Sequence, residues 1–214
     1  MVRHEMTGGS IIGLTGNSGA GKGEAALFMK RHGAYVIDAD VLAHESMKRG
    51  EPAYGSIARL FGESVLGPDG EINRKLLGTI VYHDAKKKGL LESIIHVEVK
   101  RKTDQITNDA LSNAAPFVVW DAPLLIEAGM HKMCDAVILL TAPFEVKLSR
   151  IVTRDNISGN QAALRLHNQR DEAKLLDILK RDIAPQRIFI IDNDAGLGKL
   201  HEGISRVLRS LDLP

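Results

Sequence analysis

Five short apolar runs, residues 10–15, 34–37, 117–120, 136–140 and 188–191, punctuate the chain without alternating polar positions. A strand with one face in water alternates; a strand covered on both faces does not, so these runs predict buried parallel strands. Helical spacing fills the gaps between them. After the first run, Ala25, Ala26, Leu27 and Met29 recur as on a helix packing against a sheet. Lys30, Arg31 and His32 then fall where cations suit a helix end, and Gly33 suits the left-handed residue that stops it. Strand alternating with helix predicts an α/β, doubly wound sheet, with ligands at the carboxyl ends of the strands.

Two stretches lie outside this alternation. Residues 45–112 read as mostly helical, broken at Gly50-Glu51-Pro52 and at Gly67-Pro68-Asp69-Gly70, the latter a turn by composition. The stretch is too large for a simple crossover and predicts a substrate-holding lobe. It carries Arg59, Arg74, His83, His96, Lys100, Arg101 and Lys102, any one of which alone is more often a surface residue than a ligand. Residues 145–183 are rich in charge. Arg150 and Arg154 are four apart and share a helix face. A break at Asn156-Ile157-Ser158-Gly159-Asn160 and a second helix from about Gln161 predict a hairpin bearing arginines, as a closing lid requires. The competing reading is a solvated hairpin whose cations pair with Asp171, Glu172 and Asp177.

Composition narrows the class. An apolar fraction of 44% over 214 residues predicts a globular core rather than disorder. A net charge of +1 argues against a general nucleic-acid or membrane-surface binder, so charge must act locally. The single cysteine, Cys134, excludes an intrachain disulfide and a cysteine zinc cluster, reads as a packing residue, and fits a reducing cytoplasm. Residues 1–10 lack the apolar segment of a signal peptide, and no apolar run approaches the roughly twenty residues of a membrane span.

The chemistry starts at Gly16-Asn17-Ser18-Gly19-Ala20-Gly21-Lys22, between the first run and the first helix. This is phosphate-loop spacing. Its glycines allow the tight curl that turns N–H groups onto phosphate oxygens, and the helix N-terminus adds partial positive charge. Lys22 is placed to reach terminal phosphates. A glycine-rich turn without a ligand is the competing reading. The next two positions, Gly23 and Glu24, lack the hydroxyl that normally touches magnesium there. Either the ion is held through water and other carboxylates, or Glu24 acts through water, or metal handling is impaired.

Acidic residues follow the other strands. Asp38 and Asp40, at i and i+2, suit a proton acceptor and a partner that orients it or holds magnesium; otherwise they cap a helix over 41–48. Asp121 stands where phosphate-loop enzymes place an acidic magnesium support, with a helix cap as its alternative. Asp192-Asn193-Asp194 follows the last strand.

Together these stretches resemble the dephospho-CoA kinase family over about residues 11–205. The resemblance rests on Gly13-Leu14-Thr15-Gly16 with the loop to Lys22, Asp38-Ala39-Asp40-Val41-Leu42-Ala43 and Asn73-Arg74-Lys75-Leu76. It continues through Leu91-Glu92-Ser93-Ile94-Ile95-His96, Asp121-Ala122-Pro123-Leu124-Leu125-Ile126-Glu127, Arg150-x-x-x-Arg154-Asp155, Arg165-x-x-x-Gln169 and Ile191-Asp192-Asn193-Asp194. It implies a three-layer P-loop NTPase fold with a five-stranded parallel sheet. The nucleotide-binding core would comprise 1–44, 112–146 and 184–214, the CoA-binding helical lobe 45–111 and the lid 147–183. It implies transfer of the γ-phosphate of ATP to the ribose 3′-hydroxyl of dephospho-CoA in the cytoplasm, with ATP and Mg²⁺. The partners would be small molecules, without nucleic acid or membrane, in a monomer or weak homo-oligomer.

By the same resemblance Asp40 is the base, Lys22 the phosphate lysine and Arg154 the lid arginine. Asn17, Ser18, Gly19, Ala20, Gly21, Gly23, Glu24, Arg150 and Asn193 would face the nucleotide. Asp38, Arg74, His96, Asp121 and Leu124 would face the acceptor, and Asp38, Asp121 and Glu24 are the water-bridged metal candidates. The chain departs from the family pattern at Gly23-Glu24, at Val97 after His96 and at Pro185 after Ala184. Another small-molecule kinase of the same fold, or a non-catalytic nucleotide-binding regulator, are the alternatives.

Overall fold

The computed structural model describes residues 9–82 and 84–214. His83, one of the cations of the insertion, and residues 1–8 lie outside the described residues. The five apolar runs form β1 (Ser10–Gly16), β2 (Tyr35–Asp38), β3 (Phe117–Asp121), β4 (Ala136–Thr141) and β5 (Ile188–Asp192). They make one parallel sheet in the order β2-β3-β1-β4-β5.

Order explains burial. The three inner strands are buried almost throughout. The edge strands are not: Tyr35 is 48% exposed and Ile190 49%. Uniform burial, expected from uniformly apolar runs, therefore fails at the two edges, where each strand has a neighbour on one side only.

Helices α1 (Lys22–Arg31) and α9 (Leu197–Ser210) pack on the sheet through Ala25, Ala26, Met29, Leu200, Ile204 and Val207. Burying Met29, Leu200, Ile204 and Val207 contributes roughly 1.5–3 kcal/mol each, and the two alanines less. Trp120 on β3 donates its indole N–H to Thr107 Oγ1 at 2.9 Å, so the buried ring leaves no polar atom unmet. Gly13 on β1 is required by close approach: a Cβ there would lie 2.6 Å from Leu125 and 2.9 Å from Cys134 Sγ.

The chain divides into two compact units, Met1–Ile37 with Thr107–Pro214, and Asp38–Ile106. The second unit is helical. It contains α2 (Ala39–Ser46), α3 (Pro52–Phe61), α4 (Arg74–Tyr82) and most of α5 (Ala85–Ser112) around its own core of Met47, Ala53, Ile57, Val65, Ile72 and Leu77. Its breaks fall at the expected Pro52 start and at the Gly67–Gly70 turn, closed by Gly70 N–H donating to Gly67 O at 2.9 Å. Helix α2 starts at Ala39, two residues before the expected 41.

In the first unit the charged stretch is three helices rather than a hairpin: α6 (Phe144–Asp155), α7 (Gly159–His167) and α8 (Glu172–Asp182). Asn156 at φ 50 ends α6, and Ser158 with Gln161 forms a capping box that starts α7. Asp171 then caps α8 by accepting from the Ala173 amide, a second start signal inside the region taken as one helix.

Candidate functional site

The loop from Gly16 to Lys22 joins β1 to α1 with three glycines at positive φ: Gly16 at 146°, Gly19 at 80° and Gly21 at 106°. Any side chain would be strained there, and a Cβ would also collide. At Gly19 it would lie 2.7 Å from Lys147 O, and at Gly21 2.2 Å from Asn193 Nδ2. Lys22 folds back to donate to Gly16 O at 2.9 Å.

Two residues expected to face the nucleotide grip the loop itself. Asn193, only 3% exposed, follows β5 and donates Nδ2–H to Ala20 O at 2.9 Å. Arg150 on α6 donates to Gly19 O at 3.1 Å, to Asn193 O at 3.1 Å and to Asn193 Oδ1 at 3.3 Å. These donors fix the Gly19 and Ala20 carbonyls and with them the orientation of their peptides. A preorganised set of amides is what an incoming phosphate requires.

The segment between α7 and α8 also touches the loop. The Ser18 amide donates to Gln169 Oε1 at 3.0 Å, and Asn17 Nδ2 donates to Arg170 O at 3.1 Å. Arg154 Nη2 donates to Ser18 Oγ at 3.4 Å. Arg154 also forms a two-pronged pair with Asp155, at 2.7 and 2.9 Å. Lys147, buried on α6, pairs with Glu172 on α8 at 2.6 Å. Ser18, Arg154, Arg150, Asn193 and the glycines thus come together around one loop.

Glu24 is not part of that group. Its Oε1 lies 3.0 Å from His201 Nε2 on α9, and the His201 ring stacks on Phe28 at 4.3 Å. This pairing turns the Glu24 carboxylate toward α9. Gly23 is exposed and offers no side chain. Asp121 ends β3 opposite Leu14, half-buried, not at a helix cap. Leu124, in the turn after β3, is 46% exposed. Among the described residues no group of three or more His, Cys, Asp or Glu is arranged to hold a metal.

In the helical unit Asp38 caps α2: its Oδ1 accepts from the amides of Asp40 at 2.9 Å and Val41 at 3.0 Å. Capping and chemistry were alternatives in sequence. The structure gives the cap to Asp38 and leaves the Asp40 carboxylate exposed in the first turn. Arg74 at the start of α4 donates to His44 Nε2 at 2.5 Å. His96 is half-buried on α5.

Sequence reading missed four partners: Asp155, Gln169, His44 and His201. Three had a signal. Asp155 adjoins Arg154, Gln169 closes the quoted Arg165-x-x-x-Gln169 pattern, and His44 lies one helical turn after Asp40. Nothing local linked His201 to Glu24, 177 positions away.

Comparisons with known proteins point to one family. The family model described as dephospho-CoA kinase matches residues 10–197. A dephospho-CoA kinase of Bacillus licheniformis is 39% identical over 77% of this chain and 83% of its own. One from Moorella thermoacetica is 41% identical over 78% of this chain and 79% of its own. Among solved structures, TT1252 from Thermus thermophilus matches with a TM-score of 0.75 at 31% identity, covering 95% of this chain and 98% of that one. A dephospho-CoA kinase from Campylobacter jejuni matches at 0.63 and 26%, covering 94% and 96%.

Proposed function

The chain belongs to the dephospho-CoA kinase family, and from that premise we propose how its own residues carry the transfer of the ATP γ-phosphate to the ribose 3′-hydroxyl of dephospho-CoA. The observation that carries the reading is the phosphate loop held ready by Asn193 and Arg150 with Arg154 at its Ser18 edge.

The loop amides and Lys22 take the ATP phosphates. Asp40, its carboxylate left exposed by the Asp38 cap, accepts the proton of the 3′-hydroxyl. The freed oxygen bonds to the γ-phosphorus as the bond to the ADP oxygen breaks, and ADP leaves with that electron pair. Lys22 and Arg154 offset the negative charge on the transferring group. Arg74 and His96 hold the acceptor's own phosphates and base, and the helical unit is the lobe that receives it. Residues 147–183 act as the lid.

Magnesium fits as an ion carried by the nucleotide rather than by a cage of side chains, since it needs only one or two carboxylates beside substrate phosphates. Asp121 or Asp38 would be the residue to hold it, and there it would offset phosphate charge. No helix among the described residues is long and apolar enough to cross a membrane, which together with the free cysteine supports a cytoplasmic enzyme.

ADP release, measured with ATP, magnesium and dephospho-CoA beside a panel of nucleoside monophosphates, tests the reading. Turnover with dephospho-CoA alone is expected. Turnover only with a nucleoside monophosphate overturns the acceptor. Asp40→Asn lowers kcat roughly a hundredfold or more while ATP still binds; unchanged kcat transfers the base to Asp38.

A further inference from the structure

Asp155, the last residue of α6, gathers two arginines onto one carboxylate. Its Oδ1 accepts from Arg154 Nε at 2.7 Å, and its Oδ2 accepts from Arg154 Nη2 at 2.9 Å and from Arg165 Nη1 at 2.5 Å. Arg154 comes from α6 itself and Arg165 from α7. The same Arg154 Nη2 reaches Ser18 Oγ in the phosphate loop at 3.4 Å. Two guanidinium groups are therefore tied together at the edge of the loop, and two cations against one anion leave one net positive charge.

Holding the two helices together does not require this carboxylate. Ile151, Ala162 and Leu166 already form a buried cluster between α6 and α7, with Leu148, Val152 and Ile157 against it. The capping box of Ser158 and Gln161 fixes where α7 begins. Partly exposed ion pairs add little to stability beyond such packing. What Asp155 adds is orientation. The planar fork of Arg154 meets both carboxylate oxygens, a geometry that fixes the guanidinium plane as well as its distance. The hydrogen bond and charge of Arg154, with Arg165, hold the Asp155 carboxyl down at about 2, so it is ionised throughout any working range.

We propose that Asp155 is a positioning residue for phosphoryl transfer: it fixes Arg154 and Arg165 as an oriented pair beside Ser18 and cancels one of their two charges. The proposal rests on the reading of Arg154 as the lid arginine. Its logic is that of differential binding. Two unneutralised, mobile arginines bind the triphosphate of the ground state strongly, and that binding lowers KM without raising kcat. An oriented pair with one net charge saves its attraction for the geometry of transfer.

Asp155→Asn keeps the shape and removes the charge. The expected result is a split: kcat falls about ten- to a hundredfold, while ATP binds as tightly as before or a few-fold more tightly, with a steeper dependence on salt. Asp155→Glu recovers part of kcat. The proposal is overturned if Asp155→Asn leaves kcat unchanged. It is equally overturned if kcat, ATP affinity and thermal stability fall together and Asp155→Glu recovers none of them. Arg154→Gln separates this from the underlying reading. Full kcat in Arg154→Gln sinks the lid-arginine role itself; a low kcat there beside an unchanged Asp155→Asn sinks only the role of Asp155. If Asp155→Asn does not fold, Arg165→Gln replaces it, and a fall in kcat is expected, with unchanged kcat overturning the proposal.

Discussion

The side-chain amide of Asn193 donates to the backbone carbonyl of Ala20 at 2.9 Å, joining the end of β5 to the middle of the phosphate loop. Both residues are buried. The bond sets which way the Ala20 peptide faces, and Arg150 does the same for Gly19.

Asn193→Ala should therefore weaken ATP binding about tenfold and cost roughly 1–3 kcal/mol of stability, the usual penalty for a buried carbonyl left without its donor. Asn193→Asp should be worse on binding, because it aims a carboxylate oxygen at the Ala20 carbonyl. Isothermal titration with ATP, beside a thermal melt, checks both. ATP affinity unchanged in both variants would mean that the loop holds its shape alone.

Gly23 sits in the first turn of α1, exposed, and a Cβ there meets nothing within 4 Å. Gly23→Ser is expected to fit and to stabilise the helix by about half a kcal/mol. It also restores a hydroxyl where phosphate loops usually offer one. The magnesium concentration for half-maximal rate should drop several-fold. If it does not move, the ion is held from elsewhere in the site.

Burial pushes the Cys134 thiol well above its ordinary range, and the sulfur packs against β1. A buried neutral thiol is a poor nucleophile. Ellman's reagent at pH 8 should label no thiol in the native protein and one per chain in guanidinium. Rapid labelling of the native form would show that the segment before β4 opens readily.

The depressed carboxyl of Asp155 also carries a pH dependence. Its native value of about 2 lies below the ordinary 3.8, so the unfolded chain binds the proton more readily. The stabilisation is present above pH 4 and lost as pH falls toward 2. Because these pairs are partly exposed and add little, melting temperatures of the natural protein and of Asp155→Asn should differ only slightly at pH 5 and draw together as pH falls through 2. A gap that stays constant across that range would mean the carboxylate gains nothing from its arginines.

How much of this was legible in sequence follows from the range of the forces involved. The five strands and the loop are written in local pattern: apolar runs of strand length, glycines at fixed spacing, a lysine opening a helix. The Asp38 cap is local too, since its acceptor and donors lie within three residues. The edge exposure of Tyr35 and Ile190 depends on strand order, which the runs do not encode. The division of residues 159–182 into α7 and α8 was signalled by Asp171, but its capping use is indistinguishable in sequence from a solvated acid. The hold of Asn193 and Arg150 on the loop was not legible either. Their motif positions point at the nucleotide site, and nothing in the spacing says that their atoms also reach the loop that forms it. Contacts such as Glu24 with His201 join distant segments through packing, and no spacing rule reaches them.

The Ser18 amide donates to Gln169 Oε1, a contact that ties the segment between α7 and α8 to the loop. A carboxamide oxygen carries a partial charge and a phosphate oxygen nearly a whole one, so a phosphate taking this amide would displace the carboxamide downhill. The same bond shields the Ser18 amide from exchange with solvent hydrogen. A side chain of the protein thus offers the loop the kind of oxygen that the loop's glycine spacing is built to receive.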